Sequence, residues 1–240
     1  MLEKFMHEWL YVSDYDVPVA NNGFSGRAKI NGVDLEQKYI ALVATSNYNN
    51  LPEWRLAFNL DKNKRVYVMK PQHKSDFLAI LPKKVYVGIG KHHFDLSGSI
   101  KEALFSLMLT NKFDSIVHYD EIANMYIIAH STLDYPLLRK RLSQIDEDTQ
   151  LTLWLYAKNQ VSISSLAQML MVHPKTVEYR LQKIKSLTGF DPRKGIDLIP
   201  LVVSYIKEKT ENIHILETEL QSFSNEMLPR DKTISVSTNN

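Results

Sequence analysis

Apolar positions near the start of the chain set the first element. Leu2, Phe5, Met6, Trp9 and Leu10 fall at i, i+3, i+4, i+7 and i+8 and predict an amphipathic helix. Its apolar face is expected to dock on its own domain or on a second subunit. The acids on its polar side argue against an anionic lipid surface. The Asp-, Pro-, Asn- and Gly-rich stretch 13–26 reads as a loop, and 27–35 as a short helix running into a turn. Tyr39 to Ala44 is an unbroken apolar run of strand length, suited to a buried central strand. A short helix is expected around Trp54, Leu56 and Phe58. Strands are expected over Arg65–Met69 and Asp76–Leu81, joined at Pro71–Ser75 as a hairpin, and again over Val85–Gly90. Ser97 or Ser99 is expected to cap a helix reaching Leu109, and Ser115–Tyr119 to close as a last strand. Helices and strands in this order give an α/β or α+β sheet domain.

The pattern then turns helical. Residues 120–148 read as two helical pieces broken near Asp134-Tyr135-Pro136, with Leu138, Leu142 and Ile145 striped between Arg139, Lys140 and Arg141. A helix from Asp148 to Lys158 should pack Leu151, Trp154 and Leu155 behind the two helices after it. Ser162 is placed to cap a short helix whose Leu166, Ala167 and Leu170 share a face; Met171-Val172 makes a turn. His173 occupies the next cap position and Pro174 the first helical residue, where its missing N–H costs nothing. From there Val177, Leu181 and Ile184 recur at i, i+4 and i+7 and must face a core. Lys175, Tyr179, Gln182, Lys183 and Ser186 lie on the far side, Thr176 and Arg180 flank it, and Gly189 stops the helix. An ordinary surface helix with solvated lysines would show the same stripe. The short small-residue helix just before it, at helix-turn-helix spacing, shifts the reading to a helix for the major groove of DNA. The candidate DNA-binding residues are therefore Ser162, His173, Lys175, Thr176, Tyr179, Arg180, Gln182 and Lys183.

The segment His173-Pro174-Lys175-Thr176-Val177-Glu178-Tyr179-Arg180-Leu181, ending in Leu187-Thr188-Gly189, resembles the C-terminal helix-turn-helix of the PucR/CdaR-type transcription regulators. Their pattern there is roughly H-R-N-T-L-x-Y-R-L followed by Thr-Gly. His173, Thr176, Tyr179, Arg180 and Leu181 match it; Pro174 and Lys175 stand where Arg and Asn are usual, so their site sequences do not transfer. The helix before it is similar as well, through Asp148, Leu151, Thr152, Leu153, Tyr156 and Asn159. The resemblance implies a degenerate GGDEF-like sheet domain, with His73 to Pro82 aligned on the G-G-D-E-F hairpin. Only Asp76 and Phe77 survive of that motif. Lys74 and Ser75 replace what a nucleotide's close approach to backbone and a Mg²⁺ site require, so no cyclase activity is expected. The resemblance also implies double-stranded DNA as partner, a homodimer and a small-molecule effector. About 38 residues precede the first predicted strand, too few for a sensory domain, so none is expected before the sheet domain.

Composition adds limits. The chain has 240 residues, with 44% hydrophobic and 23% charged, an ordinary globular balance. A net charge of +2 does not by itself argue for nucleic acid; the local cluster Lys175, Arg180, Lys183, Lys185, Arg193 and Lys194 against Glu178 and Asp191 says more. There is no cysteine, which excludes disulfides and thiolate metal sites. No secretory signal or membrane span is evident, and a cytoplasmic protein is expected. Gly88-Ile89-Gly90 lacks the third glycine of a dinucleotide fingerprint and reads as a tight strand exit. His92, His93, His118 and His130 are scattered, without metal-ligand spacing. No cofactor, metal or catalytic residue is expected.

The expected organisation is an N-terminal helix and loop over 1–38, the sheet domain over 39–122, and a helical connector over 123–147. A DNA-binding domain over 148–210 and a helix extension with disordered tail over 211–240 complete it. The reading that competes with a regulator is a ligand- or protein-binding adaptor in which the helix-turn-helix is only structural.

Overall fold

The computed structural model describes residues 5–6, 8–10, 23–45, 51–94, 96–213 and 218. Its sheet is built around β1 (Tyr39–Thr45), whose first six residues are buried. β1 is central, so both of its faces are covered and neither can be polar. The other strands are β2 (Ala57–Asn59), β3 (Lys64–Met69), β4 (Val87–His93) and β5 (Ile116–His118). They lie in the order β2-β3-β1-β4-β5. All neighbours are antiparallel except β4 and β5. A parallel pair needs a crossover, here the helix α3 (Leu96–Met108). Earlier in the chain, α1 (Phe24–Ile30) packs Phe24 and Ala28 with Phe5, Met6, Trp9 and Leu10 in one cluster on the α3 side of the sheet. The N-terminal apolar face thus docks on its own sheet domain.

The two glycines of β4 are packing devices. A Cβ on Gly88 would stand 1.9 Å from the Ala103 carbonyl oxygen, and one on Gly90 2.1 Å from that of Ser99. Both lie inside the strand, beneath α3, so the expected tight exit is corrected: the missing side chains let the helix backbone sit on the strand. Ser99 has a second job. The β1–β4 register shifts between Ile40 and Leu42. The Ala41 N–H donates to Ser99 Oγ (2.8 Å), and Ser99 Oγ donates to the Lys91 carbonyl (2.6 Å). Neither Ser97 nor Ser99 caps α3; both are buried within it.

Other expectations change at the sheet's edge. The stretch around Trp54 holds β2 rather than a helix, and its hairpin partner is β3, closed by a Leu60 N–H to Lys64 carbonyl bond of 2.9 Å. Residues 76–81 do not form a strand. Pro71 opens a 3₁₀ turn that leads into α2 (Lys74–Ala79), with Asp76 in the first turn, where an acid suits the helix N-terminus. Only Phe77 of that run is fully buried, edge-on to Trp54 at 5.1 Å and tilted against Tyr67 at 4.6 Å. The helical turn drives one side chain into the sheet and leaves Ile80 in water. The hairpin aligned on G-G-D-E-F is therefore absent at 73–82. The loop expected over 13–26 is helical from Phe24, and residues 11–22 lie outside the described residues.

The second half is helical: α4 (Tyr119–His130), α5 (Pro136–Leu142), α6 (Glu147–Asn159), α7 (Ile163–Met169), α8 (Pro174–Thr188) and α9 (Gly195–Lys209). The break before Pro136 falls where the sequence places it. One hydrophobic cluster joins Phe105, Val117 and Ile122 to Leu142, Trp154, Leu166, Leu181 and Tyr205. The sheet side and the helix-turn-helix side thus share buried surface. Lys207 fastens α9 to the end of α4 by donating to the Ala129 (2.9 Å) and Ser131 (2.6 Å) carbonyls. α9 runs from Gly195 to Lys209, and of the extension and tail expected over 211–240 only 211–213 and 218 are among the described residues.

Candidate nucleic-acid interface

Local chemistry places α7 and α8. Ser162 Oγ accepts from the Ser165 N–H at 3.1 Å and caps α7. Leu166 and Ala167 are buried beneath it. The turn closes through the Val172 N–H to the Ala167 carbonyl (3.0 Å), with Met171 in the left-handed region at φ 54°. His173 Nδ1 accepts from the Lys175 N–H at 3.2 Å, and Pro174 takes the first position of α8. Val177, Leu181 and Ile184 are fully buried. Gly189 ends the helix at φ 83°, a conformation that costs glycine nothing.

Lys175, Tyr179, Gln182 and Ser186 face water along α8, Tyr179 at 66% exposure, and Thr176 is half-buried beside them. Ser162 and His173 are exposed at the two helix starts. The result is an outward strip of hydroxyl, amide and one ammonium on a helix rigidly seated by its opposite face.

Arg180 turns the other way. Its side chain is only 15% exposed, its Nη1 donates to Thr152 Oγ1 (3.1 Å) and its Nη2 to Asp148 Oδ2 (3.1 Å). It lies one residue before Leu181, on the inner flank, and ties α8 to α6. Lys183 also turns toward α6, with Nζ 2.7 Å from Asp146 Oδ2. The Lys183 bond holds the Asp146 carboxyl down at about 2, helped by bonds from the Thr149 N–H and hydroxyl. Lys112, then Arg180, lowers Asp148 in the same direction. Beyond α8, Arg193 depresses Asp191 and its Nη2 donates to Gln182 Oε1 at 3.0 Å. Lys185 also pairs with Asp191, at 3.2 Å.

Of the six cations in the local basic cluster, Arg180, Lys183, Lys185 and Arg193 therefore hold acids. Lys175 and Lys194 form no ion pair among the described residues. Asp146 escapes a sequence reading of this site, and Arg193 enters that reading only as one cation of the local cluster. Asp146 is visible in the sequence only as one acid ahead of a helix, where the helix dipole alone would explain it. No group of three His, Asp or Glu side chains that could hold a metal occurs among the described residues. No helix among them is long and apolar enough to cross a membrane.

No curated protein matches the chain. A solved structure, the regulator of polyketide synthase expression from Bifidobacterium adolescentis, is similar at 15% identity and a TM-score of 0.30, over 88% of this chain and 93% of that one. Residues 149–205 match the PucR C-terminal helix-turn-helix domain, a span that runs from α6 through α7 and α8 into α9. The unit that presents the outward strip of α8 is thus similar to the PucR C-terminal helix-turn-helix domain.

Proposed function

We propose that this chain is a sequence-specific DNA-binding transcription regulator that reads double-stranded DNA with α8 and acts as a homodimer in the cytoplasm. The observation that carries this reading is the two-sided character of α8. One face is fully buried, and the other presents Lys175, Tyr179 and Gln182 directly after a helix-turn-helix turn. In such a motif the start of the second helix meets base edges, which gives Lys175 and Thr176 that task. Tyr179 and Gln182 lie further along the groove. Ser162 and His173, at helix starts, are placed for phosphate. Lys183 reaches phosphate on leaving Asp146. Arg180 is a positioning residue, with its fork spent on α6. A single motif covers little DNA, so paired half-sites about one helical turn apart are expected.

The sheet domain serves dimerisation or effector sensing and performs no catalysis. Lys74 and Ser75 stand where a nucleotide's approach to backbone would call for glycine. Formation of cyclic di-GMP from GTP by the pure protein contradicts this part.

A second reading, a protein- or ligand-binding adaptor, draws on the four neutralised cations, which leave little free positive charge on the motif. Selection of bound sequences from random duplex DNA decides between the two. A recovered palindromic or repeated motif establishes the regulator. Recovery of none, with only weak salt-sensitive binding, favours the adaptor.

A further inference from the structure

A cavity of about 370 Å³ opens between α5 and the C-terminal end of α8. That is the small end of the range of ligand pockets, about 300–1,000 Å³. Tyr135, Pro136, Leu137, Leu138 and Phe190 supply its apolar walls. Leu137 stands 78% exposed at its rim, a large apolar side chain that the fold leaves in water.

The polar groups of the cavity are few and unequal. Arg141 projects from α5 and donates from Nη1 to the carbonyl of Thr188, the last residue of α8, at 3.3 Å. That carbonyl belongs to the negative end of the helix, where no intrahelical partner remains. Arg141 pairs with no acid among the described residues, so most of its five N–H donors are uncommitted. Asp134 also lines the cavity. Its Oδ1 accepts from the Tyr135 N–H (2.7 Å) and its Oδ2 lies 3.7 Å from Arg139 Nη2, so its charge is answered locally. The cavity is left with one cation, most of its donors uncommitted, above an apolar floor.

We propose that this cleft binds a small monocarboxylate with an apolar body, the carboxylate on Arg141 and the body between Tyr135, Leu138 and Phe190. A guanidinium takes a carboxylate through two parallel bonds. An apolar body excludes free phosphate and sulfate as good ligands, because nothing here replaces the water around their remaining oxygens. A carboxylate taken in this way competes with the Thr188 carbonyl for Nη1. Binding therefore loosens the tie between α5 and the end of α8, and this coupling rests on the DNA-binding reading above. The carboxylate site itself does not.

The test uses the full chain, labelled with ¹⁵N, and a panel of straight-chain C4–C10 carboxylates with benzoate, phenylacetate and 3-phenylpropanoate. Their neutral amides serve as controls. At least one carboxylate is expected to shift the backbone amides of Thr188, Gly189 and Phe190, with its amide at least tenfold weaker. Arg141→Gln, an exposed position that still offers a donor to Thr188, is expected to weaken that carboxylate at least tenfold. Arg141→Lys is expected to recover part of the loss, and Leu137→Gln to weaken the longer ligands. The proposal is overturned if no carboxylate gives these shifts up to 10 mM, if acid and amide bind alike, or if Arg141→Gln binds as the wild type does. A carboxylate that binds through Arg141 to a protein showing no DNA preference leaves the site standing and removes the DNA-binding reading. DNA binding that no bound carboxylate alters removes only the coupling.

Discussion

Arg180 and Lys183 show how a side chain's role depends on residues far along the chain. Both sit on a helix with a clear apolar stripe, and their outward or inward direction is decided by Asp146, Asp148 and Thr152 on and beside α6. Arg180→Ala removes a charge-assisted fork that is mostly buried, while its partner Asp148 keeps access to water and to Lys112. A loss of about 1–2 kcal/mol in urea unfolding is expected, with Arg180→Lys recovering only part. An unchanged unfolding midpoint would contradict the strut role.

Asp146 predicts a pH dependence. Its folded value of about 2 lies below the ordinary 3.8, so the folded state takes up the proton later than the unfolded chain. Its contribution is complete above the unfolded value and is lost as pH falls from about 4 toward about 2. Asp148 and Asp191 shift the same way. Asp146→Asn keeps a good helix cap. The melting temperature of this variant should fall less steeply across that window than the wild type's. The same variant frees Lys183 and should bind duplexes of any sequence more tightly, which a filter-binding or anisotropy titration reads directly.

At the scale of elements, local punctuation was legible and packing partners were not. Ser162, His173, Pro174 and Gly189 announce the ends of α7 and α8 because caps and stops act within a few residues. The stripe Val177, Leu181, Ile184 announces the buried face for the same reason. Phe77-Leu78-Ala79-Ile80 is different: a short apolar run fits a strand or a helical turn equally, and Pro71 with the Trp54–Tyr67 surface decides for the helix. Gly88 and Gly90 gave no local sign of α3, which reaches them from about ten to twenty residues later in the chain. Their role is open to a direct check. Gly88→Ala places a methyl carbon against backbone that cannot move as a side chain would. It should cost about 3 kcal/mol or more, whereas alanine at Gly26, with open space around it, should be tolerated. Equal melting temperatures for the two variants would contradict the close helix–strand approach.

For the whole molecule, the shared cluster from Phe105 through Trp154 to Tyr205 means that the sheet side and the helix-turn-helix side are not beads on a linker. The Lys112–Asp148 pair bridges the same boundary, and Lys207 ties α9 to the end of α4 within the helical half. A change at α5 or in the sheet therefore has a physical route to α8. The chemistry of α8 could be read from the sequence, but how much positive charge it keeps free could not, because pairing sets that. Lys175 is the cation of the outward strip that forms no ion pair among the described residues, so its removal tests the central claim most directly. The measurement is the affinity of wild type and Lys175→Ala for a duplex recovered by selection and for its scrambled counterpart, across a range of salt. The expected result is a clear preference for the selected duplex that Lys175→Ala reduces by about 1–3 kcal/mol. A wild-type protein that binds both duplexes alike, or a variant that keeps the full preference, would contradict DNA reading by α8.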